Sequence, residues 1–299
     1  MPTRFIYSKA SRYYCSIVAC IVCICLLQAS RTHAQSVFIG FQAGLANYQG
    51  ELQQKRVDFN LLRPAVGINA TYRFNENWAL RAGFLYGSLR AADSLNDPSS
   101  RIRTRNLDFQ TRYWEASLSV RYRITQIDLG PLVPFALIGA GILHVNPYTY
   151  DAAGEKWYLY PLGTEGQGLA AYPNRQMNKP LSLVLPIGGG VQWAVTPRLN
   201  LEFTFVWHKA FTDYIDDVST TYADPAVLLA GRGPKAVELA YRYDEVPGAT
   251  SAYTRGGGIR GYADQDDAFY HGSIGIQYEI FGRGMASRKR LRNLSCPKF

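Results

Sequence analysis

The chain is predicted to be all-β: an eight-stranded antiparallel transmembrane β-barrel with long external loops. Three observations carry that expectation. Eight segments alternate apolar and polar residues with a period of two; the connections between them are alternately short and long; and the chain opens with an export leader. A strand turns successive side chains to opposite faces, so such alternation marks one apolar and one polar face. Membrane barrels use an even number of such strands, each of about 9–11 residues.

The strands fall near 36–47, 64–74, 78–89, 112–124, 133–145, 181–195, 199–211 and 268–281. On the first, Val37, Ile39, Phe41, Ala43 and Leu45 oppose Gly40, Gln42 and Gly44. Val66, Ile68, Ala70, Tyr72 and Phe74 form the apolar face of the second. Trp78, Leu80, Ala82, Phe84 and Tyr86 form that of the third, against Arg81 and Gly83. On the fourth, Trp114, Ala116, Leu118, Val120 and Tyr122 oppose Glu115, Ser117, Ser119, Arg121 and Arg123. The fifth is apolar on both faces, so alternation does not set its register. Leu183, Leu185, Ile187, Val191 and Trp193 mark the sixth, and Leu199, Leu201, Phe203, Phe205 and Trp207 the seventh. The eighth carries Ile274, Ile276, Tyr278 and Ile280 and ends on Phe281.

Residues 75–77, 125–132 and 196–198 are short connections, whereas 48–63, 90–111, 146–180 and 212–267 are long. A soluble sandwich has no reason to gather its long loops at one end; an outer-membrane barrel has short periplasmic turns and long external loops. Tyr72, Trp78, Tyr122, Trp193 and Tyr278 lie near the short-turn ends, and Tyr86, Trp114 and Trp207 near the opposite ends. The two aromatic sets fit the interfacial girdles of a bilayer, about 25 Å apart.

Residues 1–34 read as a signal peptide. Arg4, Lys9 and Arg12 precede an apolar run over 15–27, and Thr32-His33-Ala34 supplies a small-x-small cleavage site ahead of Gln35. A lipoprotein alternative would use Ile17-Val18-Ala19-Cys20, but little apolar sequence precedes Cys20. Four of the five cysteines leave with the leader, so Cys296 has no intramolecular disulfide partner. The leader holds four basic residues and the expected periplasmic tail, 282–299, holds six; neither holds an acid. Removing those ten charges from the formal +9 leaves −1 for the barrel, 35–281. The basic balance is therefore no sign of a nucleic-acid partner. No second run of about 18 apolar residues exists, which excludes a helical membrane protein.

Eight strands enclose a lumen filled by side chains. Arg73, Arg81, Arg121 and Arg123 face it together with Glu202 and Glu279, all toward the short-turn end. Buried charges need partners, so a lumen ion-pair network of these six is expected, plugging the barrel. Selective conduction as a small porin is the alternative.

Several runs are more specific than strand pattern. They are Asn47-Tyr48-Gln49-Gly50-Glu51-Leu52, Tyr72-Arg73-Phe74-Asn75 with Trp78, and Trp157-Tyr158-Leu159-Tyr160-Pro161-Leu162-Gly163-Thr164-Glu165-Gly166-Gln167-Gly168. The last is Phe211-Thr212-Asp213-Tyr214-Ile215-Asp216-Asp217-Val218-Ser219. Together these resemble the PorG-like family of small outer-membrane barrels of Bacteroidota. The resemblance implies an outer-membrane location and a structural role in the type IX protein secretion system. It also implies contact with outer-membrane lipids and with periplasmic or outer-membrane secretion proteins. Thr164, Glu165, Gly166, Gln167, Gly168, Asp213, Asp216 and Asp217 are the loop residues that carry it.

The remaining chemistry admits bland and sharp readings. Asp213, Asp216 and Asp217 are spaced for turn and capping hydrogen bonds, or for calcium, although the regular calcium-loop pattern is missing. His208 and His271 point inward near that cluster, which leaves open an outer-membrane hydrolase with a His–Asp pair. No nucleophilic serine motif accompanies them, and lumen filling is the simpler reading. Arg255-Gly256-Gly257-Gly258-Ile259-Arg260-Gly261 reads as a mobile external loop facing lipopolysaccharide phosphates, since it does not form a phosphate-binding strand–loop–helix unit. The basic run Arg288-Lys289-Arg290-Leu291-Arg292 reads as a solvated end or a grip on an acidic partner. No catalytic residue, cofactor or bound metal is expected.

Overall fold

The computed structural model describes residues 35–56, 58–97, 100–125, 131–248, 253 and 255–282. The expected signal peptide and all but the first residue of the tail, with Cys296, lie outside the described residues. The barrel strands are β1 (Ser36–Gln49), β2 (Arg63–Arg73), β3 (Trp78–Ala92), β4 (Asp108–Arg123), β5 (Leu132–Val145), β8 (Leu181–Ala194), β9 (Leu199–Ala210) and β10 (Ala268–Gly282). Two three-residue strands, β6 (Tyr148–Tyr150) and β7 (Lys156–Tyr158), form a hairpin that adds to β4 above the barrel. Each barrel strand pairs antiparallel with its neighbour, β3 with β4 and β1 with β10, so the eight close into a cylinder. Closure removes both sheet edges, the condition for burying a sheet in lipid.

Alternation determines the register. Ile39 lies opposite Ala70, Phe41 opposite Ile68, and Ile276 opposite Leu201, so apolar meets apolar on the outer face. That face is the exposed one: Ile39, Phe41, Ile68, Leu118, Ile138, Phe205 and Ile274 are each more than half exposed. The polar set is inside, with Asn69, Thr71, Ser119, Gln192, Asn200 and Gln277 buried. A soluble sandwich would have the two reversed. An apolar belt of this extent, wrapping a polar interior, needs hydrocarbon around it. Trp78, Tyr86, Trp193 and Tyr278 stand on this face, nearly half exposed, and Trp78 packs on Tyr122 at 4.7 Å.

Two features differ from the sequence expectation. β3 and β4 run three and four residues further, pairing Arg90 with Gln110 and Ala92 with Asp108. There the ladder has risen into the loops, where Ala91 and Phe109 are buried by cap residues and the lipid-facing alternation stops. On β5, Phe135, Leu137, Leu143 and Val145 turn inward while Ala136, Ile138, Ala140 and Ile142 face out. Phe135 is held there by Arg121, whose guanidinium carbon lies 3.6 Å from the ring centroid.

The long connections all leave from one end and pack into a cap. Tyr48, Leu52, Leu89, Phe109, Tyr113, Leu143, Val184, Ile215 and Phe269 form an apolar core in the barrel mouth beneath it. A helix over Pro225–Arg232 is started by Asp224, whose carboxylate accepts from the amides of Ala226 and Val227, with Pro225 in the first turn. Gly233 ends it and Pro234–Ala240 forms a second short helix. Their buried faces, Leu228, Ala236 and Ala240, make a smaller core with Leu169, Tyr172 and Tyr253.

Candidate functional site

The lumen and the cap hold the candidate site residues in two separate groups. In the lumen, Glu202 on β9 is gripped by two arginines. Arg81 Nη2 donates to Oε2 at 2.5 Å, and Arg121 Nη1 donates to Oε1. Gln277 donates to Glu202 at 2.9 Å and to Asn69 at 3.0 Å, Gln192 accepts from Arg121, and Thr71 accepts from Arg81. Strands all round the barrel contribute to one hydrogen-bonded layer across the interior.

The other three members of the expected network stand apart. Arg73 and Arg123 are the last residues of their strands and lie at the short-turn rim. Arg73 rests on the Phe38 ring, and Arg123 donates to the carbonyl of Glu76 at 3.0 Å. Glu279 is buried on the inward face, but among the described residues it forms no ion pair with Arg81 or Arg121. Among the described residues the rim arginines reach a turn carbonyl and a ring face, while Arg81, Arg121 and Glu202 form one compact layer.

Above that layer, His208 Nδ1 lies 2.6 Å from Glu115 Oε2, and its ring stacks on Phe269 at 4.4 Å. His271 is 6.2 Å from His208 between ring centroids. Among the described residues neither histidine bonds Asp213, Asp216 or Asp217; His208 is taken up by Glu115 and by the Phe269 ring. The His–Asp pairing that a hydrolase would use is therefore not assembled. The space beside the histidines is a cavity of about 50 Å³, room for a few waters. Glu115 was legible as an inward residue; its partner across the lumen was not.

In the cap, the two runs that carry the family resemblance meet. Glu165 is fully buried and its carboxylate accepts from the amides of Ser219 (2.9 Å) and Thr220 (3.0 Å), the Thr220 hydroxyl (2.6 Å) and Arg260 Nη1 (2.9 Å). Thr164 donates to Asp217, and Gln167 accepts from the Glu165 amide at 3.0 Å. Gly166 and Gly168 have φ of 78° and 72°, left-handed values that cost side-chain-bearing residues but not glycine. Asp217 also has a left-handed φ, 67°, held by Thr164, by Asn178 and by Arg260, which donates to its carbonyl. Burial pushes the Asp217 carboxyl up to about 7. Arg260 is a correction to the sequence reading. It is buried, committed to Glu165 and Asp217, and unavailable to external phosphates.

A second carboxylate group adjoins this joint. Tyr48 Oη lies 2.6 Å from Asp216 Oδ2 and 2.8 Å from Asp267 Oδ1. Glu51 completes a set in which one oxygen from each of Glu51, Asp216 and Asp267 falls within 4.8 Å of the others. Asp216 is thus a buried residue and no external loop position. Its Oδ1 accepts from Val218 N at 2.8 Å, the capping role expected of it, and Asp267 Oδ2 accepts from Ile215 N at 2.8 Å. Burial, followed by Asp213, pushes Glu51 up to about 8. Asp213 also rises to about 8, and Asp216 and Asp267 are raised strongly, burial first in each case. Sequence reading marked Asp213 and Asp216 as acids of interest and Glu51 only as part of the run 47–52; Asp267, far along the chain, carried no signal.

An eight-stranded closed barrel, apolar outside and plugged within, is a protein of the bacterial outer membrane in contact with its lipids. Residues 16–166 match the outer membrane protein beta-barrel domain family, and the chain belongs to that family. A search of curated protein sequences finds no match. Similar solved structures include Neisserial surface protein A (11% identity, TM-score 0.42), spanning 82% of this chain and 99% of that one. Ail of Yersinia pestis, in complex with a heparin analogue, is 11% identical over 82% of this chain and 97% of that one, with a TM-score of 0.37. A major outer membrane protein of Thermus thermophilus is 12% identical over 82% of this chain and 100% of that one, with a TM-score of 0.40.

Proposed function

We propose that this barrel is a structural and interaction component of the outer membrane, serving the type IX protein secretion system as a PorG-like protein. In this reading residues 1–34 direct export and are removed, the short turns and the tail 282–299 face the periplasm, and the packed cap faces outward. The observation that carries the interaction role is the double closure of the lumen. Among the described residues the Arg81–Glu202–Arg121 layer and the apolar core of the mouth fill the lumen at two levels, which favours the cap and the turns as the working surfaces over a solute path. The secretion role is supported by the loop runs 164–168 and 211–219, whose side chains meet at one buried joint. Crosslinking in intact envelopes followed by purification of the barrel tests it. Recovery of periplasmic secretion proteins supports the reading; recovery of lipids alone, with cargo secretion unchanged in a deletion strain, removes the secretion role. Ion conductance through the purified barrel would remove the plugged-scaffold role.

A further inference from the structure

The geometry points to a binding site for one divalent cation, calcium by ligand chemistry, formed by Glu51, Asp213, Asp216 and Asp267 beneath the cap. The inference does not depend on any role in secretion. Glu51, Asp216 and Asp267 already bring ligand oxygens within 4.8 Å of one another, and the two aspartates are buried. Asp213 is 7% exposed, and neither of its oxygens has a partner within hydrogen-bonding geometry; Glu51 Oε2 is likewise buried without one. The segment that carries Asp213 is bonded to Asp267 on both sides, Asp267 N donating to the Thr212 carbonyl at 3.1 Å and Ile215 N to Asp267 Oδ2 at 2.8 Å, which brings Asp213 beside the group.

Oxygen supply matches the ion. Backbone amides take Asp216 Oδ1, Asp267 Oδ2 and Glu51 Oε1, which fixes each carboxylate while its second oxygen stays clear of the main chain. Tyr48 has one proton to share between Asp216 Oδ2 and Asp267 Oδ1, so it satisfies only one of them. Calcium takes six to eight oxygens in flexible geometry, and water completes what carboxylates leave open. Glu51 and Gly50 line a groove of about 1070 Å³ that opens beside the cap, giving ion and water an entry. Gly50 itself is required: a Cβ there would lie 1.8 Å from Tyr48 Oη and 2.1 Å from Asp267 Oδ1.

Arg105 offsets Glu51 and Asp216 only in part, and one guanidinium cannot balance four carboxylates. Arg105 is held by both oxygens of Asp93 at 2.7 Å, and Arg260 by Glu165 and Asp217. A cluster of buried carboxylates must then take up protons or a cation. Two oxygens of Asp213 and one of Glu51, buried without a partner in hydrogen-bonding geometry, favour the cation.

The test uses the full-length mature barrel in detergent, stripped with chelator and titrated with terbium alone, then with calcium. Tyr48 touches the proposed ligands and sensitises terbium emission. Saturation at about one ion per chain, with displacement by calcium, is expected. Glu51→Gln, at a half-buried position, should weaken binding on the order of tenfold or more, as should Asp213→Asn. Asp264→Asn, on an exposed loop, should leave it unchanged. If Asp213→Asn fails to fold, the unmodified protein and Glu51→Gln still decide. Absence of saturable emission from the unmodified barrel, emission that calcium does not displace, or equal affinity in Glu51→Gln overturns the proposal.

Discussion

Glu202 and Glu165 are both buried carboxylates that bind arginine, and they are built in opposite ways. Glu202 sits on a strand; both arginines that reach it, and the glutamine beside them, also sit on strands, so barrel register alone brings them together. Glu165 sits in a loop and is held mainly by two backbone amides and one arginine 95 residues further along. The first site is rigid because the ladder is rigid. The second exists only after the long loops have packed, so its loss should be felt in the cap and not in the barrel.

The largest expected effect follows from the lumen. Glu202→Ala leaves two buried guanidinium groups without their carboxylate, a change that commonly costs about 3–5 kcal/mol. The urea midpoint of the refolded barrel should fall accordingly, while Asp264→Ala, on an exposed loop, should change it by less than about 0.5 kcal/mol. Equal midpoints for the two variants would mean that the Glu202 layer is hydrated, and the contrast would collapse.

Glu165→Ala should cost less, about 1–3 kcal/mol, and the cost should be local. Protease added to intact cells should cut within 212–267 in the variant faster than in the unmodified protein. The barrel should retain its heat-shifted mobility on gels. A barrel that no longer inserts would show that the cap is part of the folding core.

Replacing both His208 and His271 by Gln preserves hydrogen-bonding capacity near Glu115 but removes any proton shuttle near neutral pH. A change of about 1 kcal/mol in stability, with cargo secretion intact, is expected of lumen filling. Secretion lost by a factor on the order of 10² or more, with normal insertion and crosslinking, would contradict the scaffold reading and move the hydrolase alternative to first place.

The smallest effect concerns the rim of the cap. Lys235, the Glu155 amide and Trp157 Nε1 hold the Asp151 carboxyl down to about 2. Because the folded value lies below the unfolded one, near 3.9, docking of the β6–β7 hairpin is fully supported above that value. It is lost as pH falls toward 2. Trp157 fluorescence should hold steady from neutral pH to about 4 and change below it; a transition centred near 6 would contradict the assignment.

Alternation made the lumen legible. Once Arg81, Arg121 and Glu202 are known to face inward near the same end, a narrow barrel leaves them little choice of partner. Arg73 and Arg123 share that alternation but end their strands at the rim, away from Glu202, since position along the barrel axis decides who can reach it. His208 and Glu115 show the reverse case: both faces were readable, but which strands stand opposite across the lumen depends on closure. Asp216 was read as a loop acid and proves buried; its partners Tyr48 and Asp267 lie 168 and 51 residues away.

Periodicity of two, the even count of strands and the short-then-long rhythm of connections determined the architecture by themselves. Each is a local property, and the inside-out apolar face of a membrane barrel is written residue by residue. Tertiary structure alone decided the fifth strand's register, the partner of each buried charge and the convergence of Glu51, Asp216 and Asp267. Those depend on loops that have no period to read, and their geometry is set only when the cap closes over the barrel mouth.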